Sequence, residues 1–412
     1  MKTALKLTFP LLLSFLFICL GHGLLITLIS IRAALDGFSS IQLGLIGFFY
    51  FGGFIVGIQL CSKLLNDVGH IRTFAALASM LSAICALLIL FVDPYVWMLL
   101  RFCYGMCMAA LFMVIESWLN HSVVNEFRGR MLSLYTILIY LSFALSQFFL
   151  NFGSPGGYRL FVWVSILISV AVVPFSVSKA AMPIQVELDT LPFKQLIALS
   201  PTASFSCISS GLLLGVFLTM TGAFLIDKSY AYQSIAWFIS AAYFGCLVFQ
   251  WPLGRLSDIY NRLIVLKLVS ISGLVVFILI AIAIRTSLPM GYLILLFLLA
   301  GGCIFPMYSL SMARVIDNID RCYLIKASGS LLMMNATASM MGALISSLLM
   351  TLIDSSFYLY FCMIVFLTNS ILGFYPKIAK GEQQLNQVPF AMIPRTTAVI
   401  QHLAEKEQTH CS

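Results

Sequence analysis

Three ionisable side chains, His22, Arg101 and Glu116, stand inside long apolar runs where a charge is costly, so each needs a reason to be there. An arginine in such a place either binds an anionic group or biases a protonatable neighbour, or it is bonded to carbonyls and polar groups of an adjoining helix. A carboxylate either couples to protons and gates a path, or forms a fixed ion pair; for Glu116 the partners at hand are Arg128 and Arg130. His22 lies between Gly21 and Gly23. Flanking glycines let helices approach closely, so it reads either as a proton site or as a buried neutral histidine. On one helix Arg101 and Glu116 share a face but lie about 22 Å apart at a rise of 1.5 Å per residue, too far to pair.

Tyr104, Tyr135, Tyr140, Gln147, Tyr308 and Asn335 also fall in apolar runs, where each lines a cavity or makes an interhelical hydrogen bond. Gly301-Gly302-Cys303-Ile304-Phe305-Pro306 predicts a break in its helix, the kind of irregularity that lines cavities, and it brings Phe305 into the candidate set. No segment has the spacing of a zinc site, a nucleophile elbow, a phosphate loop or paired catalytic carboxylates. The chain is therefore expected to be no enzyme and to need no metal or cofactor.

The elements that position these residues follow from composition. Of 412 residues, 61% are apolar or aromatic and 9% are charged. Soluble domains carry about 25% charged residues. A soluble enzyme, a disordered chain and a nucleic-acid binder are excluded, and a polytopic membrane protein in a lipid bilayer remains. Apolar runs over residues 8–31, 41–62, 71–92, 95–119, 131–151, 159–178, 203–226, 232–253, 263–284, 290–313, 326–353 and 356–375 predict twelve transmembrane helices in an all-α membrane protein. The net charge of +8 is a topology signal. With the N-terminus cytoplasmic, eighteen of the 23 Lys and Arg residues fall on the cytoplasmic side and four outside, with Arg101 inside a span. That asymmetry matches the positive-inside rule and predicts both termini cytoplasmic. The eleven cysteines include no C-x-x-C and mostly lie in apolar runs, where they pack as small apolar residues.

The stretch from 179 to 202 is the longest loop between spans and divides six spans from six. The expected organisation is a first bundle at 1–178, a cytoplasmic loop at 179–202, a second bundle at 203–375 and a polar cytoplasmic tail at 376–412. The halves repeat weakly. At one fixed offset Gly53 meets Gly245, Lys63 meets Arg255, Asn66 meets Asp258, Gly69 meets Asn261 and His70 meets Arg262. Each segment is a span end with its short polar loop. A loop carrying an acid and bases can lock two helices in one state and release them in another.

The second copy, with Gly254, Asp258, Asn261 and Arg262, resembles the loop signature of the major facilitator superfamily, except that Ile259 stands where a base usually follows the acid. The first copy departs further: Ser62 replaces the glycine, Asn66 the acid and His70 the base, with Asp67 a substitute acid one residue on. Trp97-Met98-Leu99-Leu100-Arg101-Phe102-Cys103-Tyr104-Gly105 is similar to the superfamily's arginine motif. With Glu116-Ser117-Trp118-Leu119-Asn120, Asn125-Glu126-Phe127-Arg128-Gly129-Arg130 and Gln250-Trp251-Pro252-Leu253-Gly254-Arg255, the chain resembles a bacterial inner-membrane branch of that superfamily over residues 5–375.

The resemblance implies two pseudo-symmetric six-helix bundles that rock about a midplane site, with spans one, four, seven and ten lining the path. The implied activity is secondary transport of a small organic solute by alternating access, coupled to protons, by a monomer in the inner membrane. The cytoplasmic gating loops would use Asn66, Asp67, Gly69, Arg72, Arg128, Arg130, Gly254, Arg255, Asp258 and Arg262. The glycine- and proline-rich signature of the superfamily's drug–proton antiporters is missing from Tyr135–Leu150, which argues against a drug efflux pump. The alternatives are a transport-incompetent receptor or sensor on the same scaffold, or a drug or metabolite efflux pump.

Overall fold

A computed structural model describes residues 2–122, 125–177, 190–319 and 324–374, and among them it is helical throughout, without strands. The first half comprises α1 (Lys2–Leu35), α2 (Ser40–Val68), α3 (His70–Leu90), α4 (Pro94–Ser122), α5 (Asn125–Ser146) with a 3-10 extension (Gln147–Phe152), α6 (Arg159–Val170) and α7 (Val172–Ser176). A short α8 (Phe193–Leu199) precedes the second half. That half comprises α9 (Pro201–Asp227), α10 (Tyr232–Ile259), α11 (Arg262–Arg285), α12 (Met290–Ile304), α13 (Pro306–Asn318), α14 (Leu324–Leu352) and α15 (Phe357–Phe374).

Among the described residues, eleven spans are long and apolar enough to cross a bilayer, and Phe357–Ile371 is a shorter apolar helix. Two spans are broken. The expected break at Gly301–Pro306 separates α12 from α13, because Pro306 has no N–H to continue the ladder. A second interruption, at Ala171 between α6 and α7, carries no comparable signal two residues either side, although Pro174 follows closely. Residues 179–189 of the expected inter-bundle loop and the whole expected tail, 376–412, lie outside the described residues. The rest of that loop docks on the second half: the Ser330 hydroxyl donates to the Leu191 carbonyl at 2.8 Å, and Leu191 N–H donates back to it at 2.7 Å.

The repeat is visible in how glycines pack. In the first half a Cβ at Gly53 would strike the carbonyl of Phe102, and one at Gly105 the carbonyl of Tyr50. In the second half Gly245 faces the carbonyl of Leu298, and Gly301 that of Ala242. Each glycine thus abuts the carbonyl three residues before its partner glycine, once between α2 and α4 and once between α10 and α12. The pairing of Gly53 with Gly245 in the sequence is a pairing of helix crossings. Backbones this close gain dense packing, which drives helix association where lipid is as apolar as side chains.

The bundles meet through α1, α2 and α5 on one side and α9, α10 and α14 on the other. Call the helix ends level with the start of α1 the near end. The contacts between bundles gather toward the opposite, far end: Gly44 sits against Ser347, Gly47 against Thr219 and Gly222 against Ser30. There too the Ser240 hydroxyl donates to the Ala144 carbonyl at 3.0 Å, and the Phe148 and Trp237 rings pack edge to face at 4.9 Å.

Candidate functional site

Midway along the helices, between the bundles, lies a cavity with about 760 Å³ of empty space, part of it open to solvent. The first bundle contributes His22, Tyr50, Tyr140 and Phe143 to its wall; the second contributes Tyr243, Phe305, Asn335 and Ser339. Of the residues singled out in the sequence, His22, Tyr140, Phe305 and Asn335 meet here.

His22 is held by glycine packing. Gly21 rests on α6 at Ile168 and Val164, and Gly23 rests on α5 at Phe143 and Ser146. The imidazole is thereby fixed between two tyrosines. Its Nδ1 is 3.3 Å from the Tyr104 hydroxyl, and its Nε2 is 3.2 Å from the Tyr50 hydroxyl. A neutral imidazole has one N–H and one acceptor nitrogen, so one hydroxyl donates to the ring and the other accepts from it. Exchanging the tautomer reverses both roles, which makes Tyr104–His22–Tyr50 a connected path for a proton.

Behind this path lies Arg101, spaced one turn from Tyr104 on α4. Its Cζ is 4.3 Å from the centre of the Tyr50 ring and 5.1 Å from that of Tyr104. The side chain is buried, and Nε and Nη1 have no hydrogen-bond partner among the described residues. The two tyrosine faces, rather than an acid, offset its charge.

Phe305 stands at the helix break with its ring nearly parallel to Tyr243, at 5.3 Å and 28°, and Tyr140 packs against it at 5.4 Å. Asn335 donates from Nδ2 to the Cys207 carbonyl at 3.0 Å, tying α14 to α9 at the cavity wall. Gln147 and Tyr308 lie outside the set lining this cavity. Gln147 donates to the carbonyls of Gly23 and Phe143 at 3.3 and 3.1 Å, joining α1 to the end of α5. Tyr308 is buried in a separate apolar cluster with Cys207, Met312 and Leu331 near the docked 190–199 segment. Glu116 is buried near the near end of α4.

The loop residues divide by half. Asn261 caps α11, accepting from Leu263 N–H at 2.9 Å. Arg262 reaches Asp258 at 3.4 Å on α10 and Asp317 at 2.8 Å on α13, fastening the start of α11 to two neighbours. Gly254 accepts from the Ser257 hydroxyl at 2.6 Å, and the exposed Arg255 lies 5.6 Å from the Trp251 ring centre. In the first half His70, the counterpart of Arg262, approaches the Ser117 hydroxyl at 3.4 Å and packs edge-on to Trp118 at 5.9 Å. Asp67 and Arg72 are exposed and form no ion pair among the described residues, so the one-residue shift does not rebuild the acid. Gly69 has φ +85°, a conformation open to glycine, at the α2–α3 joint. The side chains of Asn66, Arg128 and Arg130 lie outside the described residues.

Sequence reasoning missed Asp317, Tyr50 and Tyr243. Asp317 was missed because α13 runs to Asn318, five residues beyond the expected end of that span. Tyr50 carried a signal: it lies three residues before Gly53, whose counterpart Gly245 lies in the repeat.

No protein-family model matches the chain. It is similar to the MFS-type transporter YcaD of Escherichia coli O17:K52:H18, at 26% identity over 352 residues, covering 85% of this chain and 90% of that one. The YcaD of Shigella flexneri matches at the same identity and coverage. Among solved structures, the nucleoside transporter NupG shares the fold with a TM-score of 0.69 at 15% identity, over 91% of this chain and 98% of that chain. A bacterial homologue of the human lysosomal transporter Spinster does so with a TM-score of 0.65 at 13% identity, over 93% and 99%. Along most of its sequence the chain is thus similar to MFS-type transporters, and it shares its fold with two solved transporters.

Proposed function

We propose that this protein is a secondary transporter that moves a small organic solute across the bacterial inner membrane by alternating access, driven by protons, with both termini in the cytoplasm. The observation that carries the reading is the midplane cavity, walled by both bundles, with the contacts between bundles gathered at the far end. By the charge asymmetry of the loops the far end is the outer one. The conformation then corresponds to a cavity sealed from the outside, and the opposite state requires those contacts to part. Proton coupling rests on the Tyr104–His22–Tyr50 path beside Arg101, where an imidazole bridging two hydroxyls and a substrate share one wall. The cavity is completed within one chain, which fits a monomer.

The test is flux. Proteoliposomes loaded with a pooled set of small metabolites and diluted into solute-free buffer are expected to release at least one solute faster than protein-free vesicles, read by mass spectrometry. An imposed pH gradient is expected to drive that solute uphill. Protein-dependent release that ignores the pH gradient overturns the coupling, and no protein-dependent release of any solute overturns the transport reading.

A further inference from the structure

The central cavity is chemically lopsided. Among the described residues no Asp, Glu, Lys or Arg lines it, yet Arg101 lies one ring thickness behind its wall, 4.3 Å from the centre of the Tyr50 ring. Arg101 is 4% exposed, its Nε and Nη1 have no hydrogen-bond partner among the described residues, and the faces of Tyr50 and Tyr104 lie against its charge. A cation over an aromatic face draws density from the ring and makes the Tyr50 hydroxyl a better donor toward the cavity. A buried charge so poorly compensated favours an incoming anion and repels a cation. Only one such charge stands there, so it matches a monoanion.

A second polar group waits on the opposite bundle. Tyr243 lines the cavity, is 1% exposed, and its hydroxyl has no hydrogen-bond partner among the described residues. A buried hydroxyl left unbonded is costly, and a ligand oxygen repairs it. Around it the wall is aromatic: Phe305 lies nearly parallel to the Tyr243 ring, Phe143 meets that ring edge-on at 5.3 Å, and Tyr140 packs on Phe305. Such surfaces suit a flat π-system, which gains from stacking and edge contacts that an aliphatic ring lacks.

We infer that the cavity takes a flat aromatic or heteroaromatic monocarboxylate, its carboxylate bridging the hydroxyls of Tyr50 and Tyr243 and its ring among Phe143, Tyr140 and Phe305. The anion would join the two bundles through one hydroxyl from each. This rests on the cavity being the solute site proposed above.

Equilibrium binding to the purified full-length protein in detergent tests it without requiring transport. The probes are benzoate, nicotinate and indole-3-acetate, each compared with its neutral amide, together with tryptamine as a cation and cyclohexanecarboxylate as a non-aromatic anion, read by isothermal titration calorimetry. At least one aromatic acid is expected to bind, with its amide and cyclohexanecarboxylate at least about tenfold weaker and tryptamine without measurable heat. Tyr243→Phe and Tyr50→Phe are each expected to weaken the acid by about tenfold. Arg101→Gln is expected to erase the preference for acid over amide; if that variant is not monodisperse, Tyr243→Phe decides. No acid binding at millimolar concentration, an amide or tryptamine binding equally well, or an unchanged Tyr243→Phe affinity overturns the inference. Binding of an acid without flux in vesicles would sink transport but not this site. Flux of another solute without acid binding would do the reverse.

Discussion

Arg262 Nε lies 2.8 Å from Asp317 Oδ2, and the two side chains are 2% and 1% exposed. The second carboxylate on the same guanidinium, Asp258, is 34% exposed and lies 3.4 Å away. One arginine therefore joins the ends of α10, α11 and α13, with a strong buried contact on one side and a partly solvated one on the other. At the matching place in the first half, His70 meets a serine hydroxyl and an indole edge.

The unequal burial of the two acids makes an ordered prediction. Removing one member of a buried pair leaves an uncompensated charge and costs about 3–5 kcal/mol. A partly exposed pair is worth about 1 kcal/mol or less. Asp317→Asn is thus expected to lower the thermal midpoint of the detergent-solubilised protein far more than Asp258→Asn. Equal shifts, or a larger one for Asp258→Asn, would show that the α13 contact does not hold this end together.

Glycine packing gives a second prediction. Gly53→Ala and Gly245→Ala each push a methyl group into a backbone carbonyl of the neighbouring helix, whereas Gly291 has nothing within 4 Å of an added Cβ. Overpacking of this kind costs about 1–3 kcal/mol. Both crossing variants are expected to unfold at lower temperature and to be recovered in lower amount after solubilisation, with Gly291→Ala indistinguishable from wild type. If Gly53→Ala is tolerated and Gly245→Ala is not, the two crossings are not equivalent despite their matching geometry.

These elements also mark what the sequence made legible. Spans, the break before Pro306 and the repeat through Gly53 and Gly245 follow from hydropathy, a missing N–H and a local pattern, each readable within about twenty residues. Pairings across the fold are not local. Asp317 lies 55 positions from Arg262, and nothing near it signals a partner. His22, Phe305 and Asn335 were found because polarity or a helix break marks them. Tyr50 and Tyr243 look like any aromatic in an apolar run until the helices are placed. Gln147 shows the converse: its polarity is used to tie α1 to α5, not to line the cavity.

Movement of the far end can be tested by fixing it. Phe148 and Trp237 belong to different bundles and their rings touch at 4.9 Å. In the pair Phe148→Cys with Trp237→Cys, oxidation or a short bifunctional thiol reagent is expected to link the helices. Eight of the nine described native cysteines are buried, which limits side reactions. Flux in vesicles is expected to stop on linking and to return when the link is reduced. Undiminished flux in fully linked protein would mean that solute passes without the far end opening, contrary to alternating access.

The proton path makes the last prediction. Glutamine at position 22 can still donate to one tyrosine and accept from the other, so it preserves the bridge between Tyr104 and Tyr50 that His22 makes at 3.3 and 3.2 Å. It cannot take a proton at one nitrogen and release one at the other, as an imidazole does when its tautomer exchanges. His22→Gln is therefore expected to keep solute exchange down a concentration gradient within about threefold of wild type. Accumulation driven by a pH gradient should fall by about tenfold or more, since the ring that passes the proton between the two hydroxyls is gone. Tyr104→Phe, which interrupts the path one step behind the cavity, should show the same split. A His22→Gln protein that still concentrates solute on a pH gradient would move the coupling site elsewhere. Glu116, buried further along the same helix as Arg101, is then the group to substitute next, with Glu116→Gln read by the same pair of assays.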